Sequence, residues 1–309
     1  MCPIFLILHG RAQAALFIPS IQLAMPLDQI DVDKERSGGK EMTFLEHLEE
    51  LRWHIIRGLL YVIGAAIVLF AVQGWVFDVV IFGPTHPEFI SYQMFCQWSH
   101  ALGLGDTMCI QPPQFTMQAV GVGEPFIMAI KMSIIGGFVV GFPFVFREFW
   151  RFIEPGMHDP EQRATRGAVF ICSTLFLAGV LFGYFIIAPF GVRFLIGYSI
   201  PGVENIPTVS SLINYMIMFT LPSGFIFELP VVVYVLSRLG LATPAGMRRY
   251  RRHAIVGTLI VAGIFTPPDA VTQFLIGIPL FVLYEVSIFI SARVERQLAK
   301  REREESLAG

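Results

Sequence analysis

The chain has 309 residues, 54% hydrophobic and only 15% charged, with 29 phenylalanines. Soluble domains carry about 25% charged residues, so this composition excludes a soluble globular class and points to an integral membrane protein. A net charge of -2 predicts no nucleic-acid partner, and the four cysteines, at 2, 96, 109 and 172, show neither a CxxC pair nor zinc spacing.

Residues 1–24 hold two short apolar runs around Arg11, broken by Pro3, Gly10 and Pro19. They resemble a weak secretory leader, and equally the translation of a start codon chosen too early; Met25 and Met42 are alternative starts. Residues 26–41 are polar, so the organised sequence is expected to begin at Met42, with 1–41 a disordered or wrongly assigned extension. Phe44, Leu48, Leu51 and Ile55 then recur at helical spacing and form one apolar stripe. Thr43 with Glu46 three positions on matches a capping box. Glu46, Glu49 and Glu50 come early and Arg52 and Arg57 late, the order that the helix dipole favours. This pattern fits a helix on a membrane face; a solvated helix end with ordinary charge pairs explains the charges equally well.

Six apolar segments follow, at about 56–73, 126–147, 167–190, 212–237, 254–266 and 271–291. A spanning helix needs roughly 20 apolar residues, so the fifth is short. Orientation follows from Lys and Arg. Residues 34–57, 147–166, 238–252 and 293–303, before the first span, between the second and third, between the fourth and fifth and after the sixth with their borders, hold nineteen; the opposite loops hold Arg193 alone. Both termini are therefore expected in the cytoplasm, which requires an even number of spans and retains the fifth. The expected architecture is an all-α polytopic bundle of six transmembrane helices over 42–291, with a charged cytoplasmic tail over 292–309.

Loop 74–125 falls outside the membrane on the non-cytoplasmic face and carries Cys96 and Cys109. An oxidising compartment allows them to bond; two free thiols in a folded cap are the alternative. Cys172, inside the third span, reads as a packing residue. Glu228 lies within the fourth span between Pro222 and Pro230. Intramembrane charges are costly and face protein or water, and a proline kink exposes carbonyls that suit a polar crevice. A protonated Glu228 bonded to a neighbouring helix for packing is the bland account. Lys131 is read as snorkelling outward, too far along the bundle to pair with Glu285. Asp269, at the turn before the sixth span, suits a helix N-terminus, and Gln273 a bond to a partner helix. In the first cytoplasmic loop Glu154, Asp159 and Glu161 lie on a face that otherwise collects positive charge. With Glu46, Glu49 and Glu50 they can form an acidic patch suited to arginine, or they pair locally with Arg151, Arg163 and Arg166. HExxH, GxSxG, Walker and strand-borne GxGxxG motifs are missing, so neither enzyme chemistry nor a cofactor is expected. His47 and His54, seven apart on one helical face, lack a third metal ligand.

Four of these stretches together resemble the TatC family, the multispanning core of the twin-arginine protein translocase: His47-Leu48-Glu49-Glu50-Leu51-Arg52; Phe149-Trp150-Arg151-Phe152-Ile153-Glu154-Pro155-Gly156 with Glu161-Gln162-Arg163; Phe227-Glu228-Leu229-Pro230; and Thr266-Pro267-Pro268-Asp269 with Gln273. The resemblance covers roughly residues 42–291. It implies a receptor in the bacterial cytoplasmic membrane for folded precursors whose signal peptides carry paired arginines. It places signal-peptide binding at Glu50 and Glu161, with Arg52 and Phe152 in the same surface. It assigns polar contacts to TatA-type and TatB-type single-span partners at Glu228, Asp269 and Gln273. It further implies transport driven by the proton-motive force and homo-oligomers within the complex. The chain departs from the family pattern at His54, where the HLxELRxR box usually ends in arginine, in its long cysteine-bearing outer loop, and in its N-terminal extension. The rival classes are a small-solute secondary transporter, which needs inverted repeats that the halves do not show, and an intramembrane enzyme, for which no motif is present.

Overall fold

The computed structural model describes residues 44–101, 103, 105–109, 116–153, 165–198, 200–202, 205–265 and 270–308. Among the described residues the chain is helical, and the only β pairing is an isolated bridge between Gln118 and Thr208. The helices are α1 (Phe44–Ala71), the single turn α2 (Gln73–Trp75), α3 (Ile90–Ala101), α4 (Glu124–Ile153), α5 (Thr165–Phe182), α6 (Ala188–Gly197), α7 (Val209–Phe227), α8 (Leu229–Arg238), α9 (Pro244–Arg249), α10 (Arg251–Phe265) and α11 (Ala270–Ala308). A π-turn, Gly183–Ile187, joins α5 to α6 without a break.

Five stretches among the described residues are long and apolar enough to cross a membrane: Leu48–Ala71, Glu124–Phe152, Val169–Gly197, Val209–Arg238 and Ile276–Glu304. The fold is thus an all-α polytopic membrane bundle. The fifth segment becomes α10, whose 15 residues reach about 22 Å at the helical rise, less than a hydrocarbon core about 30 Å thick; a short span is accommodated by local thinning of the bilayer, so the even number of six expected from the sequence is kept. This helix folds back against α11: Gln273 Nε2 donates to the Leu259 carbonyl at 3.1 Å, and Arg251 reaches Glu285 at 2.6 Å. The last helix also runs further than its apolar stretch, to Ala308 instead of 291. Residues 292–308 contain neither glycine nor proline and are rich in Glu, Arg, Lys, Leu and Ala, so nothing in them stops a helix.

Residues 47–309 form one compact unit, with α7 packed on α4, α5 and α6. Its core gathers Ile187, Ala188, Leu212, Ile213, Met216, Phe219 and Ala262. Lipid offers no hydrophobic drive between helices, so close backbone approach carries the packing. A Cβ on Gly179 would stand 2.6 Å from the Ser223 carbonyl of α7, and one on Gly137 would stand 2.7 Å from the Ala66 nitrogen of α1. Leu60, Ile67, Phe170, Ile264 and Phe289 remain exposed, as a lipid-facing surface allows.

At the end where α1 and α5 finish, the chain builds a cap. The Tyr92 hydroxyl donates to the Pro84 carbonyl at 2.6 Å, and the Tyr184 hydroxyl to the Val80 carbonyl at 2.8 Å. The Phe89 ring stacks on Phe185. Burial pushes the Tyr92 hydroxyl up to about 12. Glu124 accepts from the Ser210, Val120 and Gly121 amides, which ties the start of α4 to the start of α7. Cys96 and Cys109 are joined in a disulfide.

Candidate functional site

The opposite end of the bundle carries Glu50, Arg52 and Phe152. The first turns of α1 meet the last turns of α4, because the two helices run antiparallel. Glu50 is half-buried there, and its Oε2 is closed to solvent without a hydrogen-bond partner among the described residues. An unpaired carboxylate oxygen in such a position is costly. Arg52 is exposed and lies over the Trp53 ring at 5.9 Å. Phe152 is half-buried and meets the His54 ring edge-on at 6.3 Å. Between α1 and α4 lies an apolar cavity of about 350 Å³, lined by Leu51, His54, Ile55, Gly58, Leu59, Val62, Phe138, Val145, Phe149 and Phe152.

A second carboxylate organises this end, and the sequence reading passed over it. Glu148 is 3% exposed. Its Oε2 lies 2.8 Å from His54 Nδ1 and 4.0 Å from Arg57 Nη1, and its Oε1 accepts from Arg151 Nη1 at 3.2 Å. Glu148 is therefore the buried centre of an ion cluster bridging α1 and α4. His54 is one of its partners and no bystander at the interface. The only sequence signal was the unusual histidine itself, a shorter side chain where the HLxELRxR pattern has arginine.

Glu228 sits where the fourth span breaks. Helix α7 ends at Phe227, α8 starts at Leu229, and Pro230 occupies the first turn of α8, where a missing N–H is tolerated. Both Glu228 oxygens are closed to solvent, neither makes a hydrogen bond of ordinary geometry, and the buried Cys172 thiol is beside them. Gln273 bonds α10 within the chain. Lys131 does not snorkel free: its Nζ donates to Asn214 Oδ1 at 2.5 Å. Glu154, Asp159, Glu161 and Asp269 lie outside the described residues, as does Thr43 of the capping box.

Residues 46–279 match the family model described as Sec-independent protein translocase protein (TatC). The chain belongs to the TatC family. A TatC from Blattabacterium sp. subsp. Periplaneta americana is 35% identical over 263 residues, which cover 83% of this chain and 97% of that protein. One from Aquifex aeolicus is 31% identical over 259 residues, covering 83% and 97%. A crystal structure of the twin-arginine translocase receptor TatC in the detergent DDM superposes with a TM-score of 0.61 at 29% identity, over 80% of this chain and 99% of that one. A second TatC receptor crystal structure gives 0.60 at 30% identity. As a TatC-family chain, this is a multi-pass membrane component of a Sec-independent protein translocase and not an enzyme.

Proposed function

We propose that this chain is the signal-peptide receptor of a twin-arginine translocase in a bacterial cytoplasmic membrane, with both termini in the cytoplasm. The observation that carries the reading is the solvent-closed Oε2 of Glu50, without a hydrogen-bond partner among the described residues, next in the chain to Leu51, which lines the apolar cavity. A guanidinium is charged at every cellular pH and offers a planar fork of donors. One such group satisfies the Glu50 carboxylate with paired, charge-assisted bonds, and Glu161 takes the second arginine. Arg52 and Phe152 frame the same surface. The apolar part of the signal peptide then enters the cavity between α1 and α4, whose lining from Leu51 to Val62 is almost wholly aliphatic or aromatic.

Glu228 is assigned to partner recruitment. Its solvent-closed carboxylate at a helix break, beside the Cys172 thiol, offers a hydrogen bond to a single-span helix of the TatA or TatB type. In lipid such a bond is worth about 1 kcal/mol, weak enough for reversible assembly. Asp269 and Gln273 belong to the same partner surface, homo-oligomers form within the complex, and the proton-motive force drives transport. The docking step is tested by photocrosslinking a twin-arginine peptide to the purified chain. Glu50→Ala combined with Glu161→Ala is expected to abolish the crosslink; undiminished crosslinking removes the docking step.

A further inference from the structure

The cap holds a cluster that signal-peptide docking leaves unused. Cys96 and His100 stand four residues apart on α3 and so share a face. The chain then turns back through Gly103 and Gly105, at φ 70° and 59°, a region that glycine enters without Cβ strain. Ser99 Oγ donates to the Gly105 carbonyl at 2.5 Å, and the short turn Gly105–Met108 brings Asp106 and Cys109 back onto α3. The donor atoms of Cys96, His100 and Cys109 all lie within 4.8 Å of one another. His100 Nε2 is 3.6 Å from Cys109 Sγ and 3.3 Å from Asp106 Oδ1, and that oxygen is 3.7 Å from Cys109 Sγ. The side chains of His100 and Asp106 are 58% and 87% exposed, so solutes reach the cluster from water.

A disulfide that only staples a loop needs neither an imidazole nor a carboxylate against its sulfur. Two sulfurs, one imidazole nitrogen and one carboxylate oxygen are the donor set of a tetrahedral zinc site, and thiolate ligands select Zn²⁺ or Cu⁺ over harder ions. We propose that the reduced cap binds a soft transition-metal ion of the Zn²⁺ class through Cys96, Cys109 and His100, with Asp106 as the fourth ligand. The disulfide is then the oxidised, metal-free form of the same site. Conversion requires a two-electron donor, such as a dithiol. The Cys96–Cys109 sulfur–sulfur bond breaks, each sulfur takes one electron and one proton, and the donor closes its own disulfide. The ion next displaces both thiol protons to solvent and forms two metal–sulfur bonds.

The test uses the full chain purified in detergent, with Co²⁺ alone as a spectroscopic stand-in. After reduction with a phosphine and its removal, one Co²⁺ is expected to bind, with thiolate charge-transfer and tetrahedral ligand-field absorption. The untreated, oxidised chain is expected to show neither. Loss of an outer-shell partner alone commonly costs at least tenfold in affinity, so His100→Ala is expected to weaken binding by about tenfold or more, and Asp106→Asn by about tenfold. A Cys96→Ser, Cys109→Ser chain is the folded control. If reduction alone loosens the cap, Co²⁺ is expected to re-form it, because metal binding there is folding free energy. A reduced chain that binds no more Co²⁺ than the double-serine control overturns the proposal, as does undiminished binding by His100→Ala. Signal-peptide crosslinking is expected to be the same in all these variants, so its failure and the failure of this site are separable.

Discussion

Two carboxylates on the same end of the bundle have opposite fates. Glu148 is fully engaged, by His54 and two arginines, while Glu50 keeps a solvent-closed oxygen that no described group pairs. Substitution separates them. Removing one partner of a buried ion pair costs about 3–5 kcal/mol when the rest stays buried. Here the side chains of Arg57 and Arg151 are 56% and 47% exposed and can rehydrate, whereas that of His54 is only 12% exposed. Glu148→Ala is therefore expected to destabilise the detergent-solubilised chain by about 1–3 kcal/mol, measured by thermal unfolding. Glu50→Gln loses no partner and removes a charge whose burial is costly, so its unfolding midpoint is expected to hold or rise. A charged hydrogen bond is worth about 1.5–3 kcal/mol, so its affinity for a twin-arginine peptide is expected to fall about tenfold or more. A downward unfolding shift in Glu50→Gln as large as that in Glu148→Ala refutes the contrast. Glu50 stood out in the sequence as an acid at the entry to an apolar span, on the face that the positive-inside pattern makes basic, but its role came only from the resemblance of the HLxEL box. Glu148 did not stand out, because its burial arises from the crossing of α1 and α4, residues 94 apart in sequence, and no local pattern encodes that crossing.

Among the elements, the spans were legible and their ends were not. Hydropathy placed all five long stretches, because lipid selects apolar composition directly, but missed the start of the first by eight residues and the end of the third by seven. It stopped the last helix near 291, because hydropathy reports where lipid ends and helix propensity decides where the helix ends. The break at Glu228 was legible through Pro230. What hydropathy cannot see is which small residues set interhelical distance. Gly179 of α5 faces α7 so closely that a Cβ would meet the Ser223 carbonyl at 2.6 Å and Phe227 Cβ at 2.8 Å. Backbone cannot yield as a flexible side-chain end can. Gly179→Val is expected to cost at least the 1–3 kcal/mol typical of overpacking, about 3 kcal/mol here. Gly257 of α10 has nothing within 4 Å of its Cβ position, so Gly257→Val serves as the control and is expected to shift stability by under about 1 kcal/mol. Equal losses in the two variants, read from unfolding midpoints, contradict close α5–α7 approach as the packing device.

For the molecule as a whole, the docking proposal stands or falls on sidedness. The end that carries Glu50 and Glu148 has to face the compartment where precursors are made, and the disulfide-bonded cap the oxidising one. Lys and Arg distribute nineteen to the segments on one side against Arg193 on the other, and cationic loops are costly to move across the bilayer. Membrane-impermeant thiol labelling of intact cells decides it. Of the native cysteines among the described residues, Cys96 and Cys109 are bonded and Cys172 is fully buried, so they stay silent; Cys2 is replaced by serine in the background. Val122, exposed on the cap side, and Ser306, exposed near the end of α11, are then changed to cysteine singly. Val122→Cys is expected to label in intact cells, and Ser306→Cys only after the membrane is opened. The reverse pattern puts the Glu50 surface outside the cell, where no precursor arginine pair arrives before transport, and eliminates the receptor reading whatever the affinity of the site in detergent.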